Sequence, residues 1–209
     1  MLQLDPAEFN RLLNDLGQDF SWSKSYICPC VSPATNSPAP NCPHCRGKGF
    51  LWAAAVTGTA GVPSQKVQRE FAKFGQWENG DMMLSIPSDS PLYDMGERDR
   101  VVMLNGDDPF SINLRRGYND KLPWTVRQID RVFWLSGSSI VEGGIPTQGS
   151  DGTLTFATGA PPSGSAYSVS GAKFSEYFVF RDYPSDRPEH HGKKLPKKAQ
   201  LRRFDLFGR

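Results

Sequence analysis

The chain's four cysteines all lie between positions 28 and 45, as "ICPC" and then "NCPHC", separated by "VSPATNSPAPN" (31–41). The intervening residues are mostly Ser, Pro, Ala and Asn, and such a stretch cannot bury enough apolar surface to order itself. Something must tie its ends. The pattern C-x-C followed by C-x-x-C places Cys28, Cys30, Cys42 and Cys45 as two close pairs, the arrangement by which a chain brings four thiolates round one tetrahedral zinc ion. Two disulfides, thiol redox chemistry or unliganded thiols are the competing readings. Iron competes with zinc, because cysteine-only sites take both. Four protein ligands leave no open coordination position, so the ion is expected to be structural. His44 sits between two ligand cysteines and is expected to point outward. Binding an ion in so small an element can be worth on the order of 10 kcal/mol, more than its own burial supplies.

The residues after Cys45 add to this. "CPHCRGKGF" (42–50) resembles the C-x-x-C-x-G-x-G unit in the zinc-binding domain of J-domain co-chaperones. In that unit the glycines let the backbone turn tightly, so that N–H groups face the sulfurs; here these are Gly47 and Gly49. Those co-chaperones repeat the unit, whereas this chain has one copy and an upstream C-x-C. The resemblance implies a metal knuckle and not a chaperone.

Beyond the cysteines the pattern changes to strands. The runs "FLWAAAV", "QKVQREFAKF", "DMMLSIP", "DRVVML", "WTVRQIDRVFWL", "TLTFAT", "AYSVSG" and "EYFVFRDY" are short and apolar or alternating. Between them lie turn signals: "ENGD", "NGDDP", "SGSS", "EGG", "SDG" and "PPSGS",. No intervening segment has the length and period of a crossover helix, which argues against a parallel sheet. In "TGAPPSGSAYSVSG", Pro161 and Pro162 fix an extended approach, Gly164 turns, and Tyr167 and Val169 alternate into a sheet. At the other end, "DPAEFNRLLNDL" (5–16) reads as a helix capped by Asp5, with Pro6 in its first turn and Glu8 at capping-box spacing. Phe9, Leu12, Leu13 and Leu16 share one face. That face is expected to dock on its own subunit, with a neighbour as the alternative.

The expected fold is mainly β: an N-terminal helix (1–20), a small four-cysteine zinc knuckle (21–52), an antiparallel β-barrel or sandwich (53–183), and an extended basic C-terminal arm (184–209). Net charge is +2 overall, but the stretch from Arg187 to Arg209 carries eight Lys or Arg against two acidic residues, leaving 16 basic and 20 acidic residues elsewhere. An acidic body therefore ends in a basic segment. That segment also holds Leu201, Phe204, Leu206 and Phe207, more large apolar residues than a solvated tail needs. Lys193, Lys194, Lys197, Lys198, Arg202, Arg203, Phe204, Leu206 and Phe207 are thus expected to form an arm that docks on a partner, with nucleic-acid contact and a solvated tail as alternatives.

Catalytic signatures are sparse. There is no Walker A loop, G-x-S-x-G, H-E-x-x-H or dinucleotide fingerprint,. The three histidines are His44, His190 and His191, and none has a fixed partner evident from the sequence. "GERDRV" (96–101) is expected to set alternating charges at a strand start, and "NGDDPF" (105–110) to form a turn. A zinc nuclease using His190 and His191 would need acidic partners from far away. No enzyme is expected. Neither a signal peptide nor a membrane-spanning run is evident, so folding in a reducing cytoplasm is expected.

Across most of its length the chain resembles tailed-bacteriophage structural proteins of the head-to-tail region. The residues that carry the resemblance are the opening "FSWSKSYICPCV" with "CPHCRGKG", the middle "GDMMLSIPSDSPLYDMGERDRVVML", and the closing "PPSGSAYSVSG…EYFVF" with "LPKKAQLRRFDLFGR". The resemblance implies a non-enzymatic virion protein of the neck or collar, with a tail-terminator or baseplate ring as the second placement. It implies a homo-oligomeric ring, with six copies as the working number, other neck or tail proteins as partners, and assembly in the bacterial host cytoplasm. The rival from another class is a zinc-knuckle nucleic-acid-binding module, with Arg46, Lys48, Phe50 and Trp52 beside the knuckle and the basic segment on phosphates.

Overall fold

The computed structural model describes residues 5–63, 77–183, 189–190 and 192–208. The expected strand "QKVQREFAKF" and His191 lie outside the described residues. The chain divides into two compact units, one comprising Met1–Asn105 with Glu176–Arg209, the other Gly106–Ser175. This division cuts across the linear partition expected from sequence.

Helix α1 (Pro6–Leu16) forms where its signals place it: the Asp5 carboxylate accepts from the Ala7 amide at 3.1 Å, and Pro6 occupies the first turn,. It packs on strand β4, described below, with Pro6 and Asn10 buried and Leu13 half-buried. Asn10 fixes the contact: its Nδ2 donates to Ser88 Oγ at 2.8 Å, and its Oδ1 accepts from the Ser88 amide at 3.1 Å. The inward face is therefore offset from the apolar one. Phe9, Leu12 and Leu16 are 46%, 50% and 73% exposed, so the expectation that they dock on their own subunit is corrected.

The first unit is built on a curled antiparallel sheet. Its strands are β1 (Gln18–Ser23), β4 (Val56–Ala60), β5 (Met82–Ile86), the first part of β6 (Arg100–Arg115), the last part of β11 (Ala166–Tyr183), and β14 (Lys197–Arg203). Their order is β4-β1-β6-β11-β14-β5. All six strands send residues to one core: Phe20, Ala60, Met82, Leu84, Ile86, Val101, Tyr177, Val179, Ala199 and Leu201. The period-2 alternation on each strand explains this. The ladder does not close into a barrel. Among the described residues its two ends meet at an isolated bridge, where Gly61 and Ser85 exchange two 2.8 Å backbone hydrogen bonds. A separate short hairpin, β2 (Ser25–Ile27) with β3 (Phe50–Trp52), carries the cysteine loop, and a two-residue pair, β12 (Glu189–His190) with β13 (Lys193–Lys194), precedes β14.

In the second unit, the rest of β6 and β11 is joined by β7 (Val126–Ser136) and β8 (Ser139–Glu142), with a small pair, β9 (Thr147–Gln148) and β10 (Leu154–Thr155). Its core gathers Leu114, Leu122, Ile129, Val132, Leu154, Tyr167 and Val169. Tyr167 and Val169 alternate inward as their approach through Pro161, Pro162 and Gly164 requires. Two expectations change here. "NGDDPF" is not a turn: β6 runs through it unbroken, because even-numbered residues from Gly106 to Leu114 stay on the more buried face. "AYSVSG" and "EYFVFRDY" are one strand, β11. The turn expected at "SGSS" does join β7 to β8, with Gly137 at φ 61°.

No helix among the described residues is long and apolar enough to cross a membrane.

Candidate metal centre

The four cysteines converge. Their Sγ atoms all lie within 4.8 Å of one another, with Cys28–Cys42 at 3.8 Å and Cys30–Cys45 at 3.5 Å. A tetrahedral ion with metal–sulfur bonds of about 2.3 Å needs sulfurs about 3.8 Å apart, so the donor set and its size fit a metal ion. A disulfide needs about 2.05 Å, and all four thiols are free. Cys28, Cys42 and Cys45 are buried and Cys30 is half-buried, with Val31 and Leu51 packed against them. His44 is exposed and stands outside the cluster.

The local backbone explains the convergence. Cys28 follows β2 directly, and its amide donates to Gly49 O at 2.8 Å, extending the β2–β3 ladder by one bond. The Arg46 amide reaches Cys42 O and the Lys48 amide reaches Cys45 O, winding the second pair into tight turns. Those turns take Gly47 to φ 79° and Gly49 to φ 78°, the left-handed region where a side chain is strained. A Cβ on Gly47 would also come within 3.0 Å of Pro40 O.

The sulfurs are electrically unequal. Backbone N–H groups of Cys45 and then His44 donate to Cys42 and hold its thiol down to about 6. Burial pushes the Cys30 thiol up to about 12, against the Ala39 amide. A cation held by the four sulfurs would favour the thiolate form of each.

β3 joins this cluster to the rest of the unit through both of its faces. Leu51 packs on the cysteines, while Phe50 and Trp52 turn to a cluster of aromatic rings. Phe207 is at its centre, 5.6 Å from Phe50, 5.6 Å from Trp52, 5.0 Å from Phe178 and 5.6 Å from Phe204. Lys48 Nζ lies 4.4 Å from the Phe204 ring, and Arg98 lies over Phe50. The hairpin's base is fixed by Asp99, whose wholly buried carboxylate accepts from Trp22 Nε1, Lys24 Nζ, the Ser25 amide and hydroxyl, and the Gly96 amide. Sequence reasoning missed Asp99. It sits in the charged run "GERDRV", and nothing local distinguishes it from its solvated neighbours.

The residues expected to form a partner-docking arm are placed in their own subunit. Lys197, Lys198, Arg202 and Arg203 lie in β14, hydrogen-bonded between β11 and β5. Arg202 pairs with the buried Asp81 at 2.9 Å and covers the Phe180 ring at 3.6 Å. Gln200 donates to the same carboxylate at 2.8 Å. Lys197 Nζ donates to Met95 O at 2.8 Å and approaches Asp182, and Lys193 approaches Asp5. Lys194 lies over Tyr93 and Arg203 over Tyr177. Phe204 and Leu206 belong to a 3₁₀ turn directly after β14, with Phe207 at its end. The extended arm is thus corrected to an inner strand and a docked turn. The reason is Ala199 and Leu201, which alternate into the core from a run whose charges conceal them.

Ile27, Val31, Pro38, Phe178, Leu206 and Phe207 are among the residues around a groove of about 1020 Å³ beside the knuckle, with Arg98 and Glu97 also on its wall. No protein-family model matches the chain, and a comparison with curated proteins gives no match.

Proposed function

We propose that the chain is a non-enzymatic structural subunit that works by assembling with copies of itself, and that the cysteine cluster holds a structural zinc ion. The setting is the one the phage resemblance implies, a ring of the neck or collar of a tailed-phage virion, with a tail-end or baseplate ring as the second placement. The observation that carries the reading is the apolar row Phe9, Leu12 and Leu16, exposed on a helix that Asn10 fixes in place. Rigid elements rarely leave such rows in water without a partner surface. Four thiolates saturate a tetrahedral ion, so the metal is suited to holding structure and offers no position for a substrate.

The rival, nucleic-acid binding beside the knuckle, has less to support it. Phe50 and Trp52 are half-buried and packed edge-on against Phe207 and Phe204, which leaves less of their rings free for bases,. Lys48 lies over Phe204 and Arg202 pairs with Asp81. Light scattering of the purified protein, with and without nuclease, tests both. A discrete oligomer indifferent to nuclease is the expected result. A strict monomer would overturn the assembly reading, and retention on DNA that weakens steeply with salt would favour the rival.

A further inference from the structure

From the shared use of β3, we infer that metal occupancy controls a latch formed by the segment from Phe204 to Gly208. This rests on the reading of the cysteine cluster as a metal site. A three-residue hairpin is marginal by itself, and β2–β3 has only the pairs Ser25–Trp52, Tyr26–Leu51 and Ile27–Phe50. The cysteine loop begins where β2 ends and closes into β3, so an ion gripped by Cys28, Cys30, Cys42 and Cys45 would hold the two strands together at the loop end of the hairpin. Alternation along β3 then carries the effect across the strand. Leu51 reads the metal side, and Phe50 and Trp52 present the surface on which Phe204 and Phe207 sit.

When the ion leaves, the hairpin loses its fixed spacing, and the ring contacts of Phe207 to Phe50 and Trp52 go with it. The 3₁₀ turn is also held by Phe178 on β11, 5.0 Å from Phe207, by Arg100 over Phe204, and by Lys48 over Phe204, the last supplied by the cysteine loop itself. Its own backbone bond is Phe207 N to Phe204 O at 3.1 Å. β14 stays, because it is hydrogen-bonded on both sides and Arg202 is anchored on Asp81. The latch therefore opens from Phe204 onward and exposes Phe178 and one wall of the adjoining groove. Coupling of this kind is reciprocal: whatever the ion contributes to latching, latching contributes to ion affinity.

The test is hydrogen exchange of the full chain, loaded with zinc, stripped by a chelator, and reloaded. Metal content is measured on each sample. Stripping is expected to speed exchange at least tenfold at residues 50–52 and 204–208, to leave residues 106–175 unchanged, and to reverse on adding zinc. Phe207→Ala, read separately by competition with a chromogenic chelator, is expected to weaken zinc binding about tenfold, within the usual span of coupling between sites. Unchanged protection at 204–208 while the cysteine loop opens would overturn the latch. So would loss of protection throughout the chain, since the ion would then support the whole fold. A chain that takes up no metal would overturn the site itself, a failure the metal content separates from the other two.

Discussion

Asp99 shows how a single side chain can set a site it does not touch. Its carboxylate takes five donors from the end of β1, the start of β2 and the Gly96 turn. Removing it leaves those half-buried donors without their shared acceptor and the partly exposed Lys24 without its ion pair, so Asp99→Ala is expected to destabilise the first unit by about 2–3 kcal/mol. Urea denaturation checks this. In the second unit Tyr167 donates to Asp120 at 2.7 Å. Burial, then the bond to Asp120, hold its hydroxyl above the ordinary value of 10.0. A raised folded value favours the protonated form, so its contribution is fully present below pH 10. That contribution is lost as pH climbs through the folded value. Alkaline unfolding followed by circular dichroism should show stability falling above pH 10 in the wild type. Tyr167→Phe should flatten that fall while costing about 1 kcal/mol at neutral pH.

At the scale of elements, α1 makes the sharpest prediction. Leu12→Asp with Leu16→Asp touches only exposed positions, so each change is expected to alter folding stability by no more than about 0.5 kcal/mol. The same pair should dissociate the assembly by light scattering. An unchanged oligomer would show that the helix face is not the contact. The helix also marks where sequence reading stops. Asp5, Pro6 and the 3.6 period specify that a helix forms, but Phe9, Leu12, Leu13 and Leu16 look alike in sequence. Only the pairing of Asn10 with Ser88, far along the chain, decides which side faces inward. β14 is hidden for the opposite reason. In "KKAQLRR" the charges dominate, yet Arg202 is neutralised by Asp81 and Gln200 is buried against the same carboxylate. β6 escapes a local reading at "NGDDPF" because turn chemistry is overridden when flanking residues keep their alternation through it. The cysteine cluster is legible because two close cysteine pairs are the spacing that brings four sulfurs together,.

For the whole molecule, a converging set of four cysteines, a docked turn and an exposed helix face are the features on which the proposed assembly rests. Assembly should show mass action: the fraction assembled should fall on dilution, and the midpoint of thermal unfolding should rise with protein concentration. Differential scanning at two concentrations a hundredfold apart checks this. Chelation should lower that midpoint, because an ion that binds only the folded chain stabilises it. The sharpest test of the clamp is X-ray absorption at the metal edge of the purified protein, with metal quantified on the same sample. One zinc per chain with four sulfurs at about 2.3 Å is the expected result. Substoichiometric metal, or a shell containing nitrogen or oxygen in place of any of the four sulfurs, would contradict it.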